Sequence, residues 1–468
     1  MSNDRNAEVA DLAVARQKRK KEAAVAPSDA THDELAKELL RAMEHAERIP
    51  AVAAEGQLWV VDQDPPVWRS MNVDALSVQA AERLRGAKLC RKEGDYRAIA
   101  RHAMNIAQAP DYFEDAPHGL ACPSGFWTID ETGCASRVDL APLHRQRFIV
   151  PADPQERSPA RFLALLANAF AGDADAQVAQ EQIDLAAEAV GAALFGMGRS
   201  IPIVVLLLGS GATGKSTFLN VIGSLFDKRA QCSIGPQYWG QEYFLAGLAG
   251  KRLNVVGELD EKALPSGAFK TVTGLDLLSA RHPTHRPFWF RCEAAHFFNS
   301  NVLPGTTDRT DAFFRRWRIL RFSNPVDLDK RDPHLAARII SDELGGVLHW
   351  AIAGAERVAR RDRLATTRVH DSVMRKWSLG SNPVLLFLTD PDFCRLDAGA
   401  QTPTRQVYGA YVEWAKASGN RAMSSQAFWQ LLDETSGRIG VRRKRRATER
   451  LVEGVSLNTS GLFAQVGP

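Results

Sequence analysis

The eight residues Gly209–Ser216, GSGATGKS, contain the clearest chemical signal in this chain. They fit the pattern G-x-x-x-x-G-K-[ST] without deviation and lie between an apolar run and an amphipathic segment. Glycines let the backbone wrap round phosphate oxygens, so that N–H groups and a helix N-terminus face the anion. Lys215 is expected to reach the β- and γ-phosphates, and the Ser216 hydroxyl to ligate Mg²⁺. The pattern predicts a nucleoside triphosphate held by Gly209, Ser210, Gly211, Ala212, Thr213, Gly214, Lys215, Ser216 and Thr217.

Polar side chains follow two later apolar runs. KRLNVVGELD ends in Glu258 and Asp260, and AAHFFNSNVLP contains Asn301 after its apolar part. Carboxylates at the carboxyl end of a strand beside a phosphate loop can hold Mg²⁺ and polarise the water that attacks the γ-phosphate. An amide at the same place can sense that phosphate and orient the water. The competing interpretations are a surface acidic turn and an ordinary asparagine-containing turn.

Two adjacent arginines precede a further apolar run. Arg315 and Arg316 lie in TDRTDAFFRRWRILRF, just before the residues that we expect to form a strand. Arginines at this place could reach a nucleotide bound by the next subunit and stabilise the transition-state charge there. The alternative is a pair of ordinary surface arginines.

The elements that must position these residues alternate along the chain. From Ile201 onward, continuous apolar strands lie between helical segments, which predicts a parallel sheet covered on both faces. The fold class is therefore α/β. Before this region, Thr31 and Glu34 form a capping-box pattern at the start of a helix, and two hairpin patterns follow.

Bulk composition excludes several classes. The chain has 468 residues, of which 45% are hydrophobic and 24% charged, as in ordinary globular proteins. It has no membrane-length apolar run and no signal-peptide core, which favours a cytoplasmic protein with no membrane partner. Its net charge of +4 is uninformative, but RQKRKK near the N-terminus and RIGVRRKRRATER (Arg438–Arg450) concentrate positive charge and indicate a polyanionic partner. A solubilising tail is the competing interpretation of the first run.

The order of these motifs resembles that of the superfamily 3 helicases. GSGATGKS, KRLNVVGELD, the stretch to NSNVLP, DAFFRRWRILRF and GVLHWAIAGAERV follow one another as in the primase–helicase group of phages and plasmids, whose N-terminal flank is of the poxvirus type. The match extends over about Pro117 to Leu364. The resemblance implies an AAA+ ATPase with a P-loop core, which assembles into a ring, expected to be a hexamer, and moves along single-stranded DNA in a bacterial host.

By this resemblance, individual residues acquire expected roles. Lys215 and Ser216 match the first nucleotide motif, Asn301 the sensor, and Arg316, with Arg315 second, the arginine finger. Glu258 and Asp260 match the acidic motif, but Leu259 separates them. Which of the two acids ligates Mg²⁺ therefore stays open. ATP and Mg²⁺ are the implied cofactors.

The implied domains and DNA contacts follow from the same match. LLSARHPTHRPFWF reads as two β-like arms and, by resemblance, forms the hairpin that projects into the ring channel. The end of the chain resembles a winged-helix domain with the basic cluster on its wing. The expected DNA contacts are Lys270, Arg281, His282, His285, Arg286, Arg442, Arg443, Lys444, Arg445 and Arg446. The expected boundaries are 1–30, a disordered basic leader; 31–150, a small mixed α/β domain; 151–200, a helical collar; 201–325, the AAA+ core; 326–382, a helical lid and linker; and 383–468, a winged-helix-like domain.

Three functions remain open on the sequence. The first is a replicative DNA helicase that acts on single-stranded and forked DNA, with a separate primase or polymerase as a further partner. The second is an ATP-regulated initiator or loader that binds origin duplex without strong unwinding of its own. The third is an ATP-driven switch that acts on protein, against which the basic segments argue.

Overall fold

A computed structural model describes residues 30–458, except for 174, 260–263, 284–285, 307, 420 and 446–449. The described chain divides into two units. The first contains the residues up to 259 with Gly267–Val302 and Arg316–Thr367, and the second contains 264–266, Leu303–Arg315 and the residues from Arg368 onward.

Both units contain helices and strands. The helices are α1 (His32–Arg41), α2 (Val73–Arg83), α3 (Glu93–Ile106), α4 (Ala160–Phe170), α5 (Ala176–Leu194), α6 (Lys215–Ser224), α7 (Glu242–Ala246), α8 (Ser266–Val272), α9 (Asp311–Phe314), α10 (Leu335–Arg361), α11 (Arg368–Gly380), α12 (Pro383–Leu388), α13 (Thr404–Ala417) and α14 (Ser425–Ile439). The strands are β1 (Val52–Ala54), β2 (Gln57–Val61), β3 (Trp68–Met71), β4 (Gly119–Cys122), β5 (Gly125–Ile129), β6 (Ala135–Val138), β7 (Val204–Leu208), β8 (Gln231–Cys232), β9 (Leu253–Val256), β10 (Leu277–Ala280), β11 (Phe288–Arg291), β12 (Ala295–Ser300), β13 (Trp317–Arg321), β14 (Cys394–Pro403), β15 (Arg442–Arg445) and β16 (Arg450–Leu457).

The N-terminal part of the first unit is a small mixed α/β region. Helix α1 begins with the expected capping box, in which Thr31 and Glu34 satisfy each other's backbone N–H groups. Its apolar side, with Leu35 and Leu39 fully buried, packs on α3. Both predicted hairpins are confirmed, because β2 pairs with β3 and β5 with β6, each antiparallel.

Five parallel strands form the centre of the first unit. Their order is β13-β7-β12-β9-β8, and every adjacent pair is parallel. Strand β7 is entirely apolar, and α4, α5, α6 and α10 share one buried cluster with residues of β7 and β12. These pairings confirm the predicted parallel sheet in an α/β fold.

The segment PFWFRCEAAHFFNSN differs from the expectation of a single strand. It contains two strands, β11 and β12, separated by Cys292, Glu293 and Ala294. Strand β11 pairs antiparallel with β10 as a two-stranded hairpin, whereas β12 enters the parallel sheet. The two arms predicted for LLSARHPTHRPFWF are therefore present.

The second unit has its own core. Strands β14, β16 and β15 form a three-stranded antiparallel sheet, and α12, α13 and α14 pack around buried Phe387, Tyr411 and Phe428. Helix α14 starts after Ser424, whose hydroxyl accepts the N–H of Ala427 as an N-cap. Within the described residues, no helix combines the length and apolar character needed to cross a bilayer.

Candidate nucleotide-binding site

The carboxyl ends of three neighbouring strands bring the predicted site together. Leu208, the last residue of β7, pairs with Ser300, the last residue of β12, so Gly209 and Asn301 follow side by side. Strand β9, on the other side of β12, ends at the level of Phe298 and continues into Glu258. Ligands of open α/β sheets bind at this edge, and the structure thus places the glycine loop, Glu258 and Asn301 together.

Backbone geometry explains the glycines of the loop. Gly214 precedes α6 with φ +91°, which favours glycine, and a Cβ on Gly209 would lie 2.0 Å from the carbonyl oxygen of Phe322. A Cβ on Gly211 would meet nothing within 4 Å. The loop is also closed by two bonds, from the Thr213 hydroxyl to the Ser210 carbonyl at 3.0 Å and from the Val326 N–H to the Ala212 carbonyl at 2.9 Å. Gly209 and Gly214 are therefore required by the fold, whereas Gly211 leaves the mouth of the loop open.

Lys215 is held at the centre of this edge. Its Nζ donates to the carbonyls of Gly209 at 2.5 Å and Ser210 at 2.6 Å, and to the Asn301 Oδ1 at 3.3 Å. Only 5% of the residue is exposed, and burial lowers the pKa of its ammonium group. The lysine thus contacts both the loop and the predicted sensor asparagine.

Lys215 is also the first residue of α6, so the first turn of this helix is part of the same site. No side chain among the described residues caps this helix, because Gly214 occupies the cap position. The first N–H groups of a helix lack partners inside the helix and attract anions. Ser216 is exposed and Thr217 half-buried in this turn. The residues present therefore fit a triphosphate with a Mg²⁺ ion at the Ser216 hydroxyl.

Asn299 holds the acidic segment in place and was missed by the sequence analysis. Its Nδ2 donates to the Gly257 carbonyl at 2.8 Å, and its backbone carbonyl accepts the Leu259 N–H at 2.8 Å. The chain beyond β9 is thus fastened to β12 on both sides of Glu258, while Leu259 is buried and Glu258 is exposed. The sequence does show an amide side chain, Asn299, within the stretch AHFFNS. The role of this amide could not be predicted because it depends on which strand lies beside β12.

Arg316 lies at the other end of the sheet. Trp317, the next residue, pairs with Val204, the first residue of β7. A five-residue strand at about 3.3 Å per residue separates this level from Gly209 by roughly 16 Å. The guanidinium of Arg316 is half-buried and donates to the Lys270 carbonyl at 3.4 Å. It therefore cannot reach a phosphate held by the loop of its own chain. Arg315, assigned to the second unit, is exposed at the end of α9.

The hairpin formed by β10 and β11 places some of the predicted DNA contacts on its surface. Arg281 donates to the Glu242 carboxylate at 2.5 Å and to the Tyr243 hydroxyl at 2.9 Å. His282 stacks against Phe288 with ring centroids 5.1 Å apart, and Arg286 is exposed. Arg281 is therefore already engaged with α7, so a DNA phosphate would have to compete with Glu242 for it.

The basic cluster of the second unit itself forms strand β15. Arg442, Arg443, Lys444 and Arg445 are all exposed, and β16 is their antiparallel partner. Two of the four have acidic partners: Arg443 pairs with Asp433 and lies over the Trp429 ring, and Lys444 pairs with Glu453 at 2.9 Å. The residues Arg442–Arg445 of the cluster are therefore themselves one strand of the antiparallel sheet.

Four predictions concern positions whose structure is not described. Asp260, His285 and Arg446 lie outside the described residues, as does almost all of the predicted leader 1–30. The choice between Glu258 and Asp260 as the Mg²⁺ ligand therefore remains open.

Comparisons with known proteins find one family model and several solved structures that are similar to this chain. The model of a family of unknown function, DUF5906, matches residues 207–316, which include the glycine loop, Glu258 and Asn301. A search of curated proteins finds no match to the chain. Among solved structures, the apo structure of the NrS-1 C-terminal region (305–718) is similar, with 12% identity and a TM-score of 0.50 over 90% of this chain and 98% of that chain. The A form apo structure of the same region gives 12% identity and a TM-score of 0.48, over 92% of this chain and 100% of that chain.

Proposed function

We propose that this protein is an ATP-dependent DNA helicase of a phage, plasmid or integrated element, with a superfamily 3 AAA+ core. The observation that supports this most is the arrangement of the sheet. Lys215, Glu258 and Asn301 meet at one edge, and Arg316 lies at the opposite end. An arginine so placed can act on a nucleotide only if a second copy presents its loop to it. A ring of copies supplies such a contact at every subunit boundary.

In this proposal, each chain contributes both a phosphate-binding face and an activating face. The glycine loop and Lys215 would bind the phosphates, and Ser216 with either Glu258 or Asp260 would hold Mg²⁺. The metal neutralises charge on the phosphate oxygens when it is bound. Asn301 orients the attacking water, and Arg316 of the adjacent copy stabilises the charge that develops in the transition state.

The basic surfaces suggest how hydrolysis would be used. Arg281, His282 and Arg286 on the hairpin would contact successive phosphates of a single strand without reading its sequence. The second unit, proposed as a winged-helix domain, would add phosphate contacts through β15. These contacts are electrostatic, so we expect DNA affinity to fall as salt is raised.

Hydrolysis and strand displacement by the purified full-length chain test this proposal together. We expect ATPase activity that depends on Mg²⁺, is stimulated by single-stranded DNA and accompanies displacement of an annealed strand from a fork. Hydrolysis without displacement, whether or not an accessory loader is added, would refute the helicase assignment. Imaging of the protein with a slowly hydrolysed ATP analogue and forked DNA would give the subunit number and the path of the strand.

A second candidate is an origin-binding initiator whose ATPase controls assembly. The exposed strand β15, with four consecutive basic residues, favours this candidate because duplex binding needs such a surface. It predicts a sequence-specific footprint on duplex DNA that disappears when the residues after 383 are removed. The helicase predicts binding to forks with little dependence on sequence.

A further inference from the structure

Glu293 is a buried carboxylate between the hairpin and the parallel sheet. It lies two residues after the end of β11 and two residues before the start of β12, and 6% of it is exposed. None of the roles proposed above involves it. A charged side chain in such a place is costly unless it has partners of opposite charge.

Three arginines surround this carboxylate. Its Oε1 lies 3.3 Å from the Nη1 of Arg147, and its Oε2 lies 3.6 Å from the Nη1 of Arg252 and 3.7 Å from the Nε of Arg199. The side chains of these arginines are between 5% and 11% exposed. Glu293, the three arginines and Glu55, which accepts from Arg147 at 2.9 Å, together form the Glu293 cluster.

The cluster is located where the strands of the nucleotide site begin. Arg252 immediately precedes β9, Glu293 precedes β12, and Arg199 lies five residues before β7. The same three strands end at Glu258, Asn301 and the glycine loop. Backbone bonds hold their starts in register, from the Ala295 N–H to the Arg252 carbonyl and from the His296 N–H to the Ile203 carbonyl. One carboxylate therefore joins the starts of all three strands.

Arg147 extends the cluster into the N-terminal region. Its guanidinium lies 3.9 Å from the Phe113 ring centroid and 4.8 Å from that of Trp59, and it bonds to Glu55 beside β2. Arg199 donates to the carbonyls of Phe113 at 2.9 Å and Ala116 at 2.6 Å. The N-terminal region is thus fastened to the same carboxylate as the strands.

Close packing and opposite charges hold the side chains of the Glu293 cluster in fixed positions. A Cβ on Gly196 would lie 1.2 Å from the Nη1 of Arg252, and one on Gly198 would lie 2.1 Å from the Glu293 carbonyl oxygen. Burial tends to raise the pKa of the Glu293 carboxyl, but the charges of Arg252, Arg147 and Arg199 outweigh it and lower the pKa. Burial lowers the pKa of Arg252 to about 10. Among the described residues, the Nε and Nη1 of Arg252 and the Nε of Arg199 find no hydrogen-bond acceptor, so the nearby charge of Glu293 is what compensates them.

We infer that Glu293 is a positioning residue for the nucleotide site. It sets the relative axial positions of β7, β9 and β12, and hence the spacing between the glycine loop, Glu258 and Asn301 at their far ends. Through Arg147, the same spacing depends on the placement of the N-terminal region. The effect on hydrolysis rests on the proposed ATPase function, whereas the effect on the strands does not.

The first test compares two buried carboxylates in the full-length protein. Glu293→Gln is expected to lower kcat for ATP hydrolysis about tenfold with KM changed less than about twofold. KM should change little because the loop that binds the phosphates is closed by local hydrogen bonds. kcat should fall because the positions of Glu258 and Asn301 depend on the strands. Misplacement of reacting groups by 1 Å costs roughly 100-fold, so a smaller shift gives the smaller loss.

Glu188→Gln is the matched control. Glu188 is 1% exposed and accepts from Arg357 at 3.4 Å and Arg361 at 2.5 Å, but it joins helices α5 and α10 instead of the strands. The Glu188→Gln variant should lower Tm about as much as Glu293→Gln does. Its kcat should stay within about twofold of wild type. Equal kcat losses in the two variants, or no loss in Glu293→Gln, would overturn the inference.

A second pair of variants keeps the test decisive if Glu293→Gln does not fold. Arg147→Lys preserves the positive charge facing Glu293 and Glu55, and Arg147→Gln removes it. We expect Arg147→Gln to reduce kcat about fivefold and Arg147→Lys to recover at least half of the wild-type value. Equal activity of the two variants would contradict a role through charge.

Amide exchange separates this inference from the proposed function. Backbone amides near Leu259, in peptides that cover β9 and β12, should exchange about tenfold faster in Glu293→Gln than in Glu188→Gln. If Glu293→Gln does not fold, Arg147→Gln takes its place in this comparison. If the wild-type protein hydrolyses no ATP, the proposed function fails, and exchange alone decides the inference. Unchanged exchange near Leu259 would refute it.

Discussion

The carboxyl edge of the parallel sheet and the strand β15 offer positive charge to an anion in opposite ways. Lys215 is 5% exposed, and three acceptors fix its ammonium group. The four basic residues of β15 are all exposed, and two of them are paired with acids. A buried charge in a fixed position acts strongly on one ligand atom, whereas exposed charges are screened by salt and act as a set. Single substitutions should therefore be decisive at the sheet edge and graded at the strand.

Loss of Lys215 should have the largest effect. Lys215→Ala removes the proposed phosphate contact together with a preorganised charge, and removal of one such donor already costs about 10²–10³-fold. We expect kcat/KM for ATP hydrolysis to fall at least about 10³-fold, measured by phosphate release. Lys228→Ala, at an exposed lysine of the same unit, is the control. A loss below tenfold for Lys215→Ala would contradict the expectation that a single substitution at the sheet edge is decisive.

Arg316→Ala should follow in size. We expect kcat to fall about 10²–10³-fold because the transition-state charge loses its partner, while binding of a fluorescent ATP analogue changes less than about threefold. Arg315→Ala is the natural comparison, since it removes the adjacent arginine. If Arg315→Ala proved the more damaging of the two, the assignment of the finger to Arg316 would be wrong.

Removal of charge from β15 should have a moderate effect on DNA binding alone. The double variant Arg442→Gln and Arg445→Gln should weaken binding to DNA about tenfold and reduce the slope of log affinity against log salt by about 0.9 for each phosphate that is no longer neutralised. ATPase activity without DNA should stay at the wild-type level. Arg405→Gln with Arg421→Gln, which removes two other exposed arginines of the same unit, is the matched control. Equal slopes for both double variants would show that β15 does not bind phosphate.

The smallest expected effect is a gain. Glu242→Gln removes the carboxylate that holds Arg281 and should strengthen single-stranded DNA binding about two- to threefold, since exposed ion pairs contribute little. Fluorescence anisotropy at low salt would measure it. Glu413→Gln, at the exposed pair with Lys416, should leave affinity unchanged. Weaker binding by Glu242→Gln would mean that the carboxylate orients Arg281 for DNA instead of competing for it.

The sequence was most informative where structure is local. The glycine loop, the capping box at Thr31 and the hairpin patterns depend on residues a few positions apart, and each could be recognised directly. Asn299 and the Glu293 cluster could not, because their roles depend on which strands are neighbours. The strand order β13-β7-β12-β9-β8 does not follow the chain, and Arg147, Arg199, Arg252 and Glu293 are far apart in sequence. The position of Arg316 opposite the loop likewise required the register of β13 on β7.

Mixing two inactive variants tests most directly whether one copy completes the nucleotide site of another. A Lys215→Ala chain retains Arg316, and an Arg316→Ala chain retains Lys215, so neighbours in a mixed assembly rebuild intact sites. We predict that ATPase activity rises well above that of either variant alone and peaks near an equimolar ratio. Activity that never exceeds the sum of the two variants, at any ratio and at concentrations where the protein self-associates, would contradict a site shared between copies.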